Sequence, residues 1–315
     1  MGYDIIGDVH GQASKLEALL EGMGYRLKAG AFQHPHRKAI FVGDYIDRGP
    51  RQVDTYRIVR AMVESQNALA ILGNHEFNAI AWHTADPAGA AQGHFLRPRH
   101  GETGSKNRLQ HQHFLAEVEG TRLHDEIIEW FLTLPLWLDL PELRVIHACW
   151  HDDYISELKP LMGPSQTLTR ELMVRASRQG DSVFQAVEGL TKGLEVALPD
   201  RHAFLDKDGH ERRNVRIRWW DENSHSYRDL ALMPDEARMS LPKVTVPAQS
   251  RPTYDQCKPV FIGHYWMQGK PVLQGSKIAC VDYSAGKGGP LVAYRWDGES
   301  ELSTKNFFVA GGPDA

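Results

Sequence analysis

The chain has 315 residues, 42% of them apolar and 24% charged, with a net charge of −4 at neutral pH. That composition excludes a disordered chain, and the negative balance excludes general attraction to nucleic acid or anionic membrane, leaving any phosphate recognition to a local site. Three widely spaced cysteines, Cys149, Cys257 and Cys280, form no CxxC pair and argue against a disulfide framework.

Met1 runs almost at once into the strand-like YDIIGDVHG, which leaves no room for a signal peptide, and no apolar run reaches membrane-spanning length. A cytoplasmic protein is the expectation. Over the first 80 residues short apolar runs alternate with helical patterns, as in βαβ units feeding a largely parallel sheet. YDII ends at GDVHG, KAIFV at GDYIDRGP and NALAIL at GNHE, with ASKLEALLEGM and RQVDTYRIVRAMVES as the intervening helices. Ligands of open α/β sheets bind beyond the carboxyl ends of strands, so three polar endings predict one crevice. Residues 82–124 read as a polar, loop-rich insertion without an apolar face. DEIIEWFLTLPLWLDLP then predicts an amphipathic helix stopped by Pro135 and Pro141, and LRVIHACW a strand with a histidine at its end. From about 151 to 258 a second insertion is expected, with helices at 165–178 and 181–197, a tryptophan pair in VRIRWWDE and a Pro-rich stretch at 242–259. PVFIGH, KIACVDYS, LVAYRWD and NFFVA predict an antiparallel or mixed second sheet.

Asp8 and His10 sit one residue apart in a strand-end loop, where the backbone can turn both side chains toward one point. A metal ion is the simplest common target. Asp44 ends the second strand, Asn74 the third, and His147 and His264 end two later ones. Two carboxylates, one amide oxygen and three imidazoles make a mixed donor set suited to Mn, Fe, Zn, Co or Ni rather than Ca. Six protein ligands over-supply one cation, whereas two cations would each keep open positions for water and substrate, so a dinuclear site is expected. Each residue alone has a simpler role, since an aspartate after a strand is usually a turn or helix cap. Five strand-terminal motifs in one chain argue against five coincidences.

In order, GDVHG (7–11), GDYIDRGP (43–50), GNHE (73–76), the histidine of VIHAC (145–149) and IGH (262–264) resemble the motif series of the calcineurin-like metallophosphoesterases. The DRG and the Glu after GNH resemble the phosphoprotein phosphatase branch, which includes Ser/Thr protein phosphatases and bacterial diadenosine tetraphosphatases. The resemblance implies an α/β (α+β) fold, a β-sandwich flanked by helices, as a single domain over 1–315 with insertions at about 82–124 and 151–258. It implies that Asp8 and His10 hold the first metal, that Asp44 bridges both, and that Asn74, His147 and His264 hold the second. A hydroxide bridging the metals would be the nucleophile, with no covalent phosphoenzyme. Mn is the first expectation for the two divalent ions, with Fe, Zn, Ni or Co as alternatives.

His75, next to the ligand Asn74, would protonate the leaving oxygen. Asp47 would hold one of its ring nitrogens, and Arg48 would grip phosphoryl oxygens through its planar fork. WWDE (219–222) resembles the W-x-D of several Ser/Thr phosphatases, which makes Trp219 and Asp221 candidate substrate contacts, with core packing as the other reading. Lys287, in CVDYSAGKGGPL, is a further candidate contact or a solvated loop lysine.

The chain departs from the family pattern at the substrate end. Leu72 stands where eukaryotic protein phosphatases carry Arg, and Ala148-Cys149-Trp150 would put a bulky indole near the site. The first expectation remains a hydrolase of phosphate monoesters, of the phosphoprotein Ser/Thr phosphatase kind. The alternative, a dinucleoside polyphosphate hydrolase of the diadenosine tetraphosphatase kind, needs cations for additional phosphates, which Arg97, Arg99, Lys106 and Arg108 could supply. A metal-binding scaffold without catalysis would predict a missing ligand or acid, and every one is present. The expected partner is a phosphorylated substrate, phosphoprotein or nucleotide, with no membrane and no nucleic acid; the acidic balance and the lack of a basic, aromatic platform also disfavour a nuclease.

Overall fold

A computed structural model describes residues 2–205 and 211–310. The first strand, Gly2–Ile6, alternates its side chains between two apolar clusters, Ile5 entering one and Ile6 the other, as a strand covered on both faces must. It pairs in parallel with Arg37–Phe41, which pairs in parallel with Ala68–Ala70, so that Ile6, Phe41 and Ala70 stand abreast. Its other edge pairs antiparallel with Val292–Trp296, which carries Phe307–Val309 beyond it. The second sheet has the order Ile278–Cys280, Val260–Ile262, Arg144–Ile146, Trp137–Asp139, the first three parallel and the last antiparallel.

The sheets face each other through Ile5, Ile40, Val42 and Ile71 on one side and Val145, Phe261, Ala279 and Val281 on the other. The rings of Phe261 and Tyr294 meet in this layer, 5.1 Å apart. On the outer face of the first sheet, Ile6 and Phe41 share a cluster with Leu16, Leu19 and Leu20 of helix Ala13–Gly22 and with Tyr56, Val59 and Met62 of helix Gln52–Glu64. Each of these larger side chains contributes about 1.5–3 kcal/mol by leaving water. The result is the helix-flanked β-sandwich that the motifs imply, with the carboxyl ends of six parallel strands at one edge of the seam.

Several elements differ from their sequence-based expectations. LVAYRWD and NFFVA leave the second sheet and complete the first, because the open edge of Gly2–Ile6 accepts Val292–Trp296 in register, Ile5 opposite Tyr294. Residues 82–124 are not loop-rich: they contain helices Gly101–Gln110 and Gln112–Val118 and the start of Arg122–Phe131. GETGSKNRLQ buries only Gly104 and Asn107, so it shows no apolar stripe, while Phe114, Leu115 and Val118 are core residues. The helix read through DEIIEWFLTLPLWLDLP stops at Phe131, ahead of Pro135, and its second half forms the edge strand Trp137–Asp139.

In the later region, helix Asp152–Met162 was not anticipated, and the two expected helices contract to Arg170–Ala176 and Ser182–Lys192. Glu195–Ala197 is instead a strand, paired antiparallel with Asn214–Arg216. Among the described residues no helix is long and apolar enough to cross a membrane.

Candidate metal centre

The chain reaches the seam in strained loops. Among the described residues, seven of the twelve non-glycine residues with positive φ lie here: His10 at 49°, Asp44 at 54°, Asp47 at 74°, Arg48 at 71°, His264 at 70°, Trp266 at 54° and Ser284 at 63°. Such a conformation costs roughly 1–2 kcal/mol per residue and persists only where the surroundings over-determine it. Two glycines make the approach possible. A Cβ on Gly43, whose φ is 102°, would stand 2.6 Å from the Gly73 Cα, and one on Gly73 would stand 2.4 Å from the Asp44 amide nitrogen.

Glu76 then locks the loop. From the first turn of helix Asn74–His83 its carboxylate accepts the amide N–H groups of Asp44 and Tyr45 at 2.8 Å, Gly73 at 3.1 Å and Ile46 at 3.3 Å.

The six expected ligands converge. His10 Nδ1 donates to the Ile46 carbonyl at 2.9 Å, which leaves Nε2 as the lone-pair nitrogen, and that atom is buried without a hydrogen-bond partner among the described residues. Burial, and then the charge of His75, pushes the His10 imidazole down to about 3, so it stays neutral and able to ligate. His147 Nδ1 likewise donates to the Val42 carbonyl at 2.7 Å, aiming Nε2 at Asp44 Oδ1, 3.3 Å away, and at Asn74 Oδ1, 3.0 Å away. His264 Nδ1 lies 2.8 Å from the same Asn74 oxygen. Asp44 therefore belongs to two groups, one with His10 and His75 and one with His147 and His264, in each of which the ligand atoms lie within 4.8 Å of one another. Asp8 completes the set: its Oδ2 accepts the His264 amide N–H at 3.0 Å, and its Oδ1 is buried with no hydrogen-bond partner among the described residues.

Neighbouring charges pull the donors of this set in opposite directions. Burial, and then the charge of Asp282, holds the Asp8 carboxyl well above the usual carboxylate range. Burial works the same way on Asp44, but His147 and His75 beside it hold that group well below its usual value. In return, and against the effect of burial, Asp44 raises His147 to about 10. Two buried lone-pair atoms without donors, next to a carboxylate shared by two ligand groups, fit a pair of divalent cations, and the mixed oxygen and nitrogen donors suit Mn, Fe, Zn, Co or Ni.

His75, Asp47 and Arg48 also assemble. The His75 amide N–H donates to Asp44 Oδ1 at 3.0 Å, its ring Nδ1 lies 2.5 Å from Asp47 Oδ2, and its Nε2 lies 3.3 Å from Arg48 Nη2. Burial opposes protonation of the His75 ring, yet Asp44 and Asp47 raise it above its ordinary value. The Arg48 guanidinium lies over the Trp266 ring, 3.4 Å from its centroid.

Five contributors were missed. Glu76 and Asp282 lie inside stretches that the motifs already mark, and Asp282 accepts the amide N–H groups of Trp266 at 2.8 Å and Ser284 at 2.9 Å. Trp266 follows IGH by two residues. His111, whose Nδ1 is 2.8 Å from Asp47 Oδ2, and Arg216, whose Nη1 is 3.4 Å from His264 Nε2, arrive from distant segments and carry no motif signal.

A cleft of about 770 Å³ opens over Asn74 and His75, lined by Arg48, Arg97, Lys106, Lys192 and Lys287 among others. Two candidate contacts are not in it. Trp219 is buried in the core, its indole N–H donating to the Ala148 carbonyl and the Tyr265 hydroxyl, both at 3.1 Å, so it packs behind the strand ends that carry His147 and His264. Asp221 accepts the amide N–H groups of Asn223 and Ser224 and faces a different cavity, with Arg218 and Glu222. The W-x-D pair is thus consumed by packing and a turn. Lys287 does line the cleft, its Nζ 3.5 Å from the Trp266 ring centroid. Trp150 does not narrow the cleft, because it is buried with its N–H on Asp152 Oδ1 and the Arg144 guanidinium over its ring. Of the four cations in the 97–108 stretch, Arg97 and Lys106 line the cleft, whereas Arg99 donates to the Trp82 carbonyl and Arg108 to Glu119.

Comparison with known proteins agrees with this geometry. Residues 1–176 match the family described as calcineurin-like phosphoesterase. The Oceanobacillus iheyensis bis(5'-nucleosyl)-tetraphosphatase PrpE [asymmetrical] is 33% identical over 149 residues, 47% of this chain and 55% of the relative, so the match spans little more than half of that protein. A symmetrical bis(5'-nucleosyl)-tetraphosphatase of Marinomonas sp. is 27% identical over 310 residues, 95% of each chain. A cold-active protein-tyrosine phosphatase of a psychrophilic Shewanella, at 15% identity and a TM-score of 0.50 over 98% of this chain and 80% of that one, shares the fold. With a family match over more than half its length, this chain belongs to the calcineurin-like phosphoesterases.

Proposed function

We propose that the chain is a two-metal phosphohydrolase whose substrate is a nucleoside polyphosphate, the alternative reading of the sequence, rather than a phosphoprotein. The observation that carries this is the charge of the cleft: beyond Arg48, which suffices for one phosphoryl group, Arg97, Lys106, Lys192 and Lys287 line the same space. Arg97 is largely buried and bound through Nη2 to Gln110, and burial lowers it to about 10, which leaves it a cation at neutral pH. Lys192 and Lys106 are partly offset by Glu188 and Glu102. A polyphosphate brings several negative groups to this cation-lined cleft, whereas a phosphoserine brings one. The names of the PrpE and Marinomonas relatives support the same substrate class.

When bound by Asp8, His10, Asp44, Asn74, His147 and His264, two divalent cations supply the acidity that activates water and the charge that offsets the phosphoryl oxygens. The side chains do the rest. Arg48 presents two parallel N–H groups to the phosphoryl oxygens, held in place by its contact with Trp266. His75 carries its proton on Nε2 toward the leaving oxygen, and Asp47 keeps Nδ1 protonated and the ring oriented. General acid catalysis of this kind contributes typically about 10²–10⁴-fold.

The test is a comparison of kcat/KM for diadenosine tetraphosphate and for a phosphoserine peptide with Mn-loaded protein. The proposal expects the dinucleotide to be preferred by at least about 100-fold, roughly 2.7 kcal/mol of transition-state discrimination. A preference for the peptide would restore the phosphoprotein reading.

A further inference from the structure

His111 stands in the turn between helices Gly101–Gln110 and Gln112–Val118, fully buried, and the proposed chemistry gives it no part. Its Nδ1 is 2.8 Å from Asp47 Oδ2, the same oxygen that His75 Nδ1 approaches to 2.5 Å. The two rings are nearly perpendicular, at 86°. Asp47 Oδ1 and His111 Nε2 are both buried without a hydrogen-bond partner among the described residues. All the side-chain hydrogen bonding of the carboxylate thus passes through one oxygen to two imidazoles. An apolar side chain would fill the place of His111 without burying an unpaired nitrogen, so what the imidazole adds there is its Nδ1–H.

The backbone of Asp47 is already fixed, because its amide N–H donates to Gln52 Oε1 at 2.6 Å. What remains free is rotation of the carboxylate, and a single donor would leave two orientations open. A second donor on the same oxygen removes one of them. With Asp47 Oδ2 accepting from both rings, His75 must carry hydrogen on Nδ1, and its Nε2 is then the position that exchanges a proton.

We propose that His111 is the positioning residue of this acid pair: by donating from Nδ1 to Asp47 Oδ2, it holds the carboxylate in the orientation that keeps His75 Nε2 directed at the leaving oxygen. The inference rests on the reading of His75 as proton donor. In that step an oxygen from water bonds to phosphorus as the P–O bond to the leaving group breaks; the electron pair of the broken bond stays on the leaving oxygen, which takes the His75 Nε2–H proton, while Nδ1–H remains on the ring and the proton of the attacking water passes to solvent.

The readout is the dependence on the leaving group. 4-Nitrophenolate departs without a proton, whereas the more basic phenolate of phenyl phosphate needs one. In Mn-loaded full-length protein, His111→Phe is expected to raise the kcat ratio of 4-nitrophenyl phosphate to phenyl phosphate at least about tenfold, within the range of general acid effects. His111→Asn, whose amide nitrogen can take the place of Nδ1, is expected to bring the ratio back near the starting value. Should the phenylalanine variant fail to fold, His111→Gln, which moves the donor away from Asp47, makes the same comparison. A ratio unchanged in His111→Phe, even with kcat lowered equally on both substrates, would mean a merely structural role and overturn the inference. His75→Asn is run alongside: if its ratio is also unchanged, the failure lies with the proton-donor reading, and if only His111→Phe is silent, with His111.

Discussion

Glu76 stands outside the six expected ligands, yet four backbone N–H groups end on its carboxylate and tie the 43–46 loop to the start of helix Asn74–His83. In Glu76→Gln the new amide group turns its own hydrogens toward two of those donors and leaves them unpaired. Each buried group so orphaned costs about 1–3 kcal/mol. We expect the variant to lose about 2–4 kcal/mol in urea denaturation and roughly 100-fold in Mn-supported hydrolysis, because Asp44 is displaced with its own amide. A loss below about 1 kcal/mol with full activity would show that other contacts hold the loop. Arg48 poses the complementary test, since its value lies in shape as much as charge. Arg48→Lys keeps the positive charge but loses both the two-pronged donor and the flat contact with Trp266, 3.4 Å away. A fall of roughly 10²-fold in kcat/KM is expected from steady-state kinetics, and near-wild-type activity would reduce Arg48 to a point charge.

At the scale of elements, legibility follows locality. Asp8 with His10, Asp44 with Asp47 and Arg48, and Asn74 with His75 each sit within a few residues at the end of a strand whose apolar run is itself readable, so the site and the strands feeding it announce themselves together. His111 reaches Asp47 across 64 residues and Arg216 reaches His264 across 48, brought there only by the packing of helices and by the pairing of Glu195–Ala197 with Asn214–Arg216. Helix Gly101–Gln110 is silent for another reason: its contact face is Gly104 and Asn107, small and polar, which no apolar periodicity records. Trp219 misleads in the opposite sense, because a motif-like position has been used for the core. The same helices make a prediction. Arg97 and Lys192 line the cleft from separate segments of the chain, so each should contribute to holding a long polyanion. Arg97→Ala and Lys192→Ala are each expected to raise KM for diadenosine tetraphosphate roughly tenfold, and to raise KM for 4-nitrophenyl phosphate distinctly less, the equivalent of about 1.4 kcal/mol per lost phosphate contact. Equal rises for both substrates would mean that these cations serve the reacting phosphoryl group itself.

At the scale of the whole molecule, the two sheets of the sandwich share an edge at the candidate metal centre. Asp8, His10, Asp44 and Asn74 come from the first sheet and its loops, His147 and His264 from the second. Polar ties cross the seam, among them the His264 amide on Asp8 and the His147 ring on the Val42 carbonyl. Divalent cations held by all six residues would therefore cross-link the sheets as well as serve catalysis. Because the unfolded chain cannot present the set, each of the two cations, at about 100 times its dissociation constant, should stabilise the fold by roughly 2.7 kcal/mol. At roughly 2 °C per kcal/mol for a chain of this size, Tm should rise by about 10 °C on adding Mn to metal-stripped protein when both sites fill. The rise should also depend on pH in a defined direction. Asp44 raises His147 to about 10, above its unfolded value, so without metal the protonated ring contributes stability that is complete below the unfolded value and fades as pH climbs toward 10. Metal must displace that proton, and displacement is easier where the proton is held less tightly. The Mn-induced rise in Tm, read by differential scanning fluorimetry in a non-chelating buffer, should therefore be larger at pH 8 than at pH 6.5. A rise that is absent, or that shrinks with increasing pH, would mean that the cations do not bind through His147 and do not tie the two sheets together.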